Sequence, residues 1–160
     1  RRSVCDAAAR LLGLASLREV EPTGLEDAVG SLPHEEMRRL VRHVVTEIDR
    51  VRTAAALLET GRIRDLGPLL DASHRSLSED FRVSCEELDL ACETAVSAGA
   101  LGARMTGGGF GGSAIALVDS GAEEVVADAV TAAFDRAGYA APAFLHAVPS
   151  GPAGRVATRT

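Results

Sequence analysis

Apolar residues recur at every third or fourth position along much of the chain, and this spacing predicts amphipathic helices. The longest such stripe predicts one helix that has Pro33 in its first helical position and ends at Gly61. A shorter stripe near the start of the chain predicts a first helix that ends near Gly13. The first part of the chain is therefore expected to be helical.

Two more helix patterns follow. One covers residues 63–77, where Gly67 followed by proline indicates either a kink or a late start. In the other, Ser84 and Glu87 have the spacing of a capping box, and Gly99 follows the last apolar position. This second pattern predicts a helix that begins at Ser84 and ends before Gly99.

Short apolar segments replace the helical pattern in the last third of the chain. Residues 101–105 and 114–118 predict two buried strands on either side of a glycine-rich run. A helix that ends at Gly138 and a last strand over residues 143–148 follow. This order of elements predicts an α+β fold in which helices cover a small antiparallel or mixed sheet.

The glycine-rich run is the strongest candidate for a functional element. Five of the eight residues from 105 to 112 are glycine. A rigid loop between two strands can offer its backbone N–H groups to an anion. A tight hairpin whose glycines serve only the turn explains the spacing equally well.

Two common phosphate-binding motifs do not fit this run. Gly107, Gly109 and Gly112 match the spacing G-x-G-x-x-G, but the dinucleotide-binding loop leads into a helix, whereas this run leads into a predicted strand. The Walker loop requires a lysine, and the chain contains none.

Charge and cysteine content narrow the classes of function. The net charge of −6 argues against binding to nucleic acid or to an anionic membrane surface. No apolar run has the length of a membrane span. Cys5, Cys85 and Cys92 have neither disulfide nor metal-site spacing, which favours a reducing, cytoplasmic compartment. The chain begins with arginine, and its first residues already have the spacing of a helix, as is typical of a piece of a longer protein.

Isolated polar residues suggest chemistry without forming a catalytic set. His74 lies among serines and acidic residues, but neighbours in sequence are poor evidence for a catalytic triad, and a structural or substrate-side loop is expected here. Asp80 is either a Mg²⁺ ligand or an exposed carboxylate. Arg104 either faces phosphate or forms a cross-strand salt bridge. No two histidines have ligand spacing, so no metal site is predicted.

Several segments, in the right order, resemble the GHMP small-molecule kinases in the form typical of galactokinases. Residues 101–113, Leu-Gly-Ala-Arg-Met-Thr-Gly-Gly-Gly-Phe-Gly-Gly-Ser, resemble the third, C-terminal motif of that family. Where the family often has cysteine, this chain has Ser113, which is also small. The other matching segments are residues 73–89, before that motif, residues 41–51, in the long helix, and residues 1–5 and 17–20, in the mid-chain region.

The resemblance implies a fold and a division of the chain. Residues 63–148 would form the C-terminal GHMP-kinase domain, an α+β domain with a ferredoxin-like sheet and helices packed on one face. Residues 1–62 would be a helical mid-region that leads into the domain, and residues 149–160 would be a C-terminal tail.

The resemblance also implies an activity, the transfer of the γ-phosphoryl group of ATP to the C1 hydroxyl of galactose with Mg²⁺. In the family the ATP loop, the catalytic Asp with its Arg partner and most sugar contacts lie in the N-terminal half, which also binds most of the ATP and Mg²⁺. The chain is therefore expected to hold no catalytic residue, to need that half, and to be inactive alone. The site residues carried over form a loop near the reacting phosphate and sugar, namely Thr106, Gly107, Gly108, Gly109, Phe110, Gly111 and Gly112. Arg104, Ser73 and His74 are expected to support this loop.

Three alternatives remain open on the sequence. The chain can belong to a galactokinase-like regulator that binds sugar and ATP without catalysis. It can also belong to a sister kinase that acts on N-acetylgalactosamine or arabinose, or be a free-standing α+β module that binds a small molecule. The residues upstream of Arg1 would distinguish these possibilities.

Overall fold

The computed structural model describes residues 1–147, Gly151 and Gly154. Its α-helices and strands are, in chain order, α1 Arg2–Leu11, α2 Leu25–Ser31, α3 Glu35–Glu59, α4 Gly67–Glu79, α5 Glu86–Ser97, β1 Gly102–Thr106, β2 Ser113–Leu117 and α6 Glu123–Ala137. Short 3₁₀ turns occupy Leu17–Glu19, Pro22–Gly24 and Ile63–Leu66. The predicted α+β class is confirmed.

The first half of the chain packs around the long helix α3. Its N-terminal half buries Leu40, Val41 and Val45, and the last two pack with apolar residues of α1 and α2. Val51 and Leu58 in its C-terminal half remain 67% and 56% exposed. The apolar stripe that predicts this helix therefore extends beyond the part that is buried within the described residues.

A second core lies under the hairpin of β1 and β2. The two strands are antiparallel, with Ala103 opposite Ala116 and Arg104 opposite Ile115. One apolar cluster joins β1 to α5 and α6, and another surrounds Met105, which is 1% exposed. Burying a methionine side chain contributes about 1.5–3 kcal/mol, so the end of β1 next to the glycine run is firmly packed.

Helix α4 lies unusually close to β1. A Cβ atom on Gly102 would stand 2.1 Å from the Gly67 carbonyl oxygen, and one on Gly67 would stand 1.9 Å from the Leu101 carbonyl oxygen. Only glycine at both positions permits this approach. Gly67 therefore marks the start of α4, so the sequence alternative of a late start is the one the structure shows.

Two predicted helix starts are wrong. Helix α3 begins at Glu35 with His34 as its N-cap, so Pro33 precedes the helix instead of opening it. Helix α5 begins after Cys85, and no side chain caps it. The predicted capping box fails because Cys85, and not Ser84, is the N-cap residue; the Ser84 hydroxyl donates to Asp89 Oδ1 at 2.5 Å.

The sheet is smaller and more exposed than predicted. Strand β1 is mostly buried, whereas four of the five residues of β2 are exposed. The predicted strand over residues 143–148 is wrong for residues 143–147, which form no strand, and Val148 lies outside the described residues. Within those residues the sheet thus has two strands, where a ferredoxin-like unit has four. The predicted tail, residues 149–160, falls almost entirely outside them as well.

Candidate functional site

The glycine run forms the loop between β1 and β2, and left-handed backbone conformations dominate it. The φ angle is +88° at Gly109 and +62° at Phe110, and Gly107, Gly111 and Gly112 also have positive φ. A bulky residue such as phenylalanine rarely adopts this conformation. Its ring is 72% exposed. Strain of this kind persists only where the surrounding structure imposes it, and it is common at functional sites.

The segment of residues 82–84, named here the loop seat, holds the middle of the loop. The Phe110 N–H donates to the Val83 carbonyl oxygen at 2.6 Å. A Cβ atom on Gly109 would lie 2.4 Å from the same oxygen and 2.7 Å from Val83 Cβ. Glycine at position 109 is therefore required by both close approach and backbone angle.

The loop leaves most of its backbone donors free. Among the described residues, five backbone N–H groups of the loop donate no hydrogen bond, namely those of Gly107, Gly108, Gly109, Gly111 and Gly112. The loop is exposed or half-exposed throughout. A fixed loop with several unpaired N–H groups can bind the oxygens of an anion without a charged side chain.

Side chains of α4 bind the edge of β1 that faces away from β2. Asp71 Oδ1 accepts the Ala103 N–H at 2.8 Å, and His74 Nδ1 accepts the Met105 N–H at 3.2 Å. The expected loop around His74 is wrong, because His74 is buried in helix α4. The histidine thus has a structural contact with the strand that leads into the glycine loop.

Ser73 and Arg104 meet at one carboxylate of α3. The Ser73 hydroxyl donates to Glu47 Oε2 at 2.7 Å, and Arg104 Nη1 lies 3.7 Å from the same oxygen. Arg50 pairs with the other oxygen of Glu47. Of the two alternatives for Arg104, the structure shows a salt bridge, and it reaches α3 instead of crossing the sheet.

A second buried histidine, His43, lies in α3, and no motif in the sequence predicts its contacts. His43 Nδ1 lies 3.0 Å from Ser76 Oγ, and its ring stacks on Phe81 with 4.4 Å between ring centroids. Burial lowers the pKa of His43 below its ordinary value. Asp80 accepts a hydrogen bond from Ser76 at 3.0 Å, so it is neither a free exposed carboxylate nor part of a metal cluster among the described residues.

Two surface depressions of the protein lie away from the glycine loop. Two surface depressions of about 450 and 270 Å³ lie beside α6 and at residues 61–65, and neither contains a loop residue. Within the described part of the chain, no group of three or more histidine, cysteine or acidic side chains could hold a metal ion. No helix of that part is both long and apolar enough to cross a membrane.

Comparisons with known proteins agree with the geometry. The family "GHMP kinases C terminal" matches residues 54–136, just over half of the chain. The galactokinase of Streptomyces coelicolor is 53% identical over 98% of this chain, which covers 41% of that protein. The galactokinase of Mycobacterium tuberculosis H37Rv is 50% identical over 89% of this chain, which covers 39% of that protein.

A solved structure gives the same result. The crystal structure of Lactococcus lactis galactokinase complexed with galactose superposes with a TM-score of 0.81 at 36% identity, over 88% of this chain and 38% of that chain. The chain thus spans about two fifths of the length of the curated relatives it matches. With a family match over more than half of its residues, this chain belongs to the GHMP kinase family, and its residues 54–136 match the C-terminal part of that family.

Proposed function

We propose that this chain is the C-terminal part of a sugar kinase that transfers the γ-phosphoryl group of ATP to the C1 hydroxyl of galactose. In this proposal the glycine loop, Thr106 to Gly112, forms one wall of the active site. The similarity to galactokinases over nearly the whole chain supports the choice of reaction and sugar. The observation that carries the role of the loop is a set of backbone N–H groups, held on a fixed mount, that have no acceptor among the described residues.

Phosphoryl transfer depends mainly on positioning and on stabilising negative charge that spreads over the phosphoryl oxygens. Backbone N–H groups that are already oriented before reaction stabilise such charge effectively. The five N–H groups of the loop that have no acceptor in the described part of the chain fit this requirement. The absence of Cβ atoms on the glycines lets a phosphate or a sugar hydroxyl come close to the backbone.

The described residues of this chain suit the phosphates of ATP better than they suit Mg²⁺. The free N–H groups of the loop suit the phosphate oxygens of ATP. Mg²⁺ requires several converging oxygen ligands, and the described residues contain no such group. We assign the Mg²⁺ ligands, the catalytic base and most contacts with sugar and nucleotide to the remainder of the kinase, and the isolated chain should therefore be inactive.

The test is a pair of substitutions in the full-length kinase that carries this chain. Gly109→Ala and Gly111→Ala should each lower kcat/KM for galactose at least tenfold, because both bring a Cβ atom into a loop where φ is positive. Gly121→Ala is the matched control. Its φ of +91° is close to the +88° of Gly109, but it lies outside the loop in the turn after β2.

The control should keep kcat/KM within about twofold of the wild-type value. If all three variants retain wild-type kcat/KM, the glycines serve only the turn, and the loop is no part of the site. If the wild-type kinase binds galactose without phosphorylating it, or strongly prefers another sugar, the proposed reaction is wrong.

A further inference from the structure

We infer that His74 is a positioning residue for the glycine loop, because two attachments of that loop, strand β1 and the loop seat, lead to its imidazole ring. The inference rests on the proposed function for its effect on catalysis. Its structural part concerns only the loop and its mount. His74 is 8% exposed and lies in the middle of α4, so it does not itself reach the open face of the loop.

The first attachment runs through strand β1. Met105 is the last buried residue before the loop, and its N–H donates to His74 Nδ1 at 3.2 Å. Both residues are buried, so water is a poor substitute for the imidazole. Asp71 makes a similar bond two residues earlier, to Ala103, and therefore holds the strand farther from the loop.

The second attachment runs through α5 and the loop seat. Because Nδ1 accepts a hydrogen bond, the neutral ring carries its proton on Nε2. Nε2 lies 3.2 Å from Asp89 Oδ1, an electrostatic contact outside hydrogen-bond angles. The same oxygen accepts the Ser84 hydroxyl at 2.5 Å.

Ser84 directly follows Val83, so the contacts from His74 through Asp89 and Ser84 lead to the residue that holds the loop. The Val83 carbonyl oxygen receives the Phe110 N–H and is the atom that excludes a Cβ on Gly109. The imidazole of His74 therefore contacts the strand that enters the loop and, through Asp89, the segment on which the loop rests. A shift of the ring would move both mounts together, and the free N–H groups would lose their fixed positions.

Two substitutions separate the two attachments. In His74→Asn the side-chain oxygen can stand near the former Nδ1 and keep the bond to Met105. In His74→Gln the longer amide reaches the former Nε2 position, close to Asp89, and leaves the Met105 N–H without its acceptor. His43→Gln is the matched control, because His43 is 7% exposed and stacks on Phe81 beside the loop seat, but its side chain hydrogen-bonds Ser76 and none of Met105, Asp89 or Val83.

The activity readout is kcat and KM in the full-length kinase. His74→Gln should lower kcat at least tenfold with KM for galactose within twofold, and His74→Asn should restore kcat to within threefold of wild type. His43→Gln should lower the Tm about as much as His74→Gln does, but it should leave kcat within twofold of the wild-type value. Equal losses of kcat in all three variants would mean that His74 matters only for stability and would overturn the inference.

The structural readout is amide hydrogen exchange in the full-length kinase that carries this chain, a measurement that needs no turnover. His74→Gln should speed exchange at Met105, its direct partner, and also at Phe110, which His74 does not touch. Both exchange rates should rise at least tenfold in His74→Gln. They should stay near the wild-type values in His74→Asn and His43→Gln. Unchanged exchange at Phe110 would refute the positioning role. Faster exchange in a kinase that does not phosphorylate galactose would refute only the proposed function.

Discussion

Gly109→Ala is the substitution for which the structure gives the clearest magnitude. The new Cβ atom would lie 2.4 Å from the Val83 carbonyl oxygen, where ordinary contacts begin at 3.4 Å. A non-glycine residue at positive φ costs about 1–2 kcal/mol. Overpacking adds about 1–3 kcal/mol, although release of the loop from Val83 limits this second part. We expect the free energy of unfolding to fall by about 2–3 kcal/mol.

Thermal unfolding of the chain, followed by circular dichroism, measures this effect. In a domain of this size 1 kcal/mol corresponds to about 2–4 °C, so the Tm of Gly109→Ala should fall by about 4–12 °C. Gly108→Ala is the control within the same loop. Gly108 does not have positive φ, and nothing lies within 4 Å of its Cβ position. Its Tm should stay the same or rise slightly, because alanine restricts the unfolded chain.

The Tm values of the two neighbouring variants, Gly108→Ala and Gly109→Ala, test whether the contact with Val83 fixes the loop. If Gly108→Ala and Gly109→Ala lower the Tm equally, the contact between the loop and Val83 is not what fixes the loop. The account of the loop seat would then fail.

Two other predictions follow from burial of titratable groups. Because burial lowers the pKa of His43, the unfolded chain binds a proton that the folded chain does not, and stability is lost as pH falls below about 6.5. Urea unfolding at about pH 7 and pH 5 should therefore show a smaller loss for His43→Gln than for wild type, and equal losses would contradict this. Burial also raises the pKa of Cys92 to about 12, so a thiol reagent at about pH 8 should label Cys92 later than the half-exposed Cys85. Mass spectrometry of the labelled peptides checks the order, and equal rates would show that Cys92 is accessible.

Local patterns predicted the elements that depend on local interactions. The 3–4 repeat of apolar residues predicted α3, and the end of α6 at Gly138 follows from its left-handed φ of +75°. The hairpin was predictable because two apolar segments flank the glycines. The start of α5 was not, since its N-cap is Cys85, one residue after the serine that the motif indicates.

Sequence patterns did not predict the contacts between distant segments. Nothing in the spacing of the glycines distinguishes Gly109 from Gly108, because the difference comes from Val83. Arg104 finds its partner in Glu47, which lies in a different helix. The exposure of β2 depends on what covers it, and periodicity gives no information on that. The domain boundaries at residues 62 and 148 and the cytoplasmic location stay predictions.

The central claim is that this chain supplies one wall of a galactose kinase site and that the rest of the kinase supplies the other. A chimera tests it most directly, with this chain in place of the matching stretch of the Streptomyces coelicolor galactokinase, to which it is 53% identical. The measurement is ATP-dependent formation of galactose 1-phosphate by the chimera, by the parent enzyme and by the chain alone. The account predicts turnover by the chimera within about tenfold of the parent and only background for the chain. A folded chimera without activity, or robust turnover by the chain alone, would contradict it.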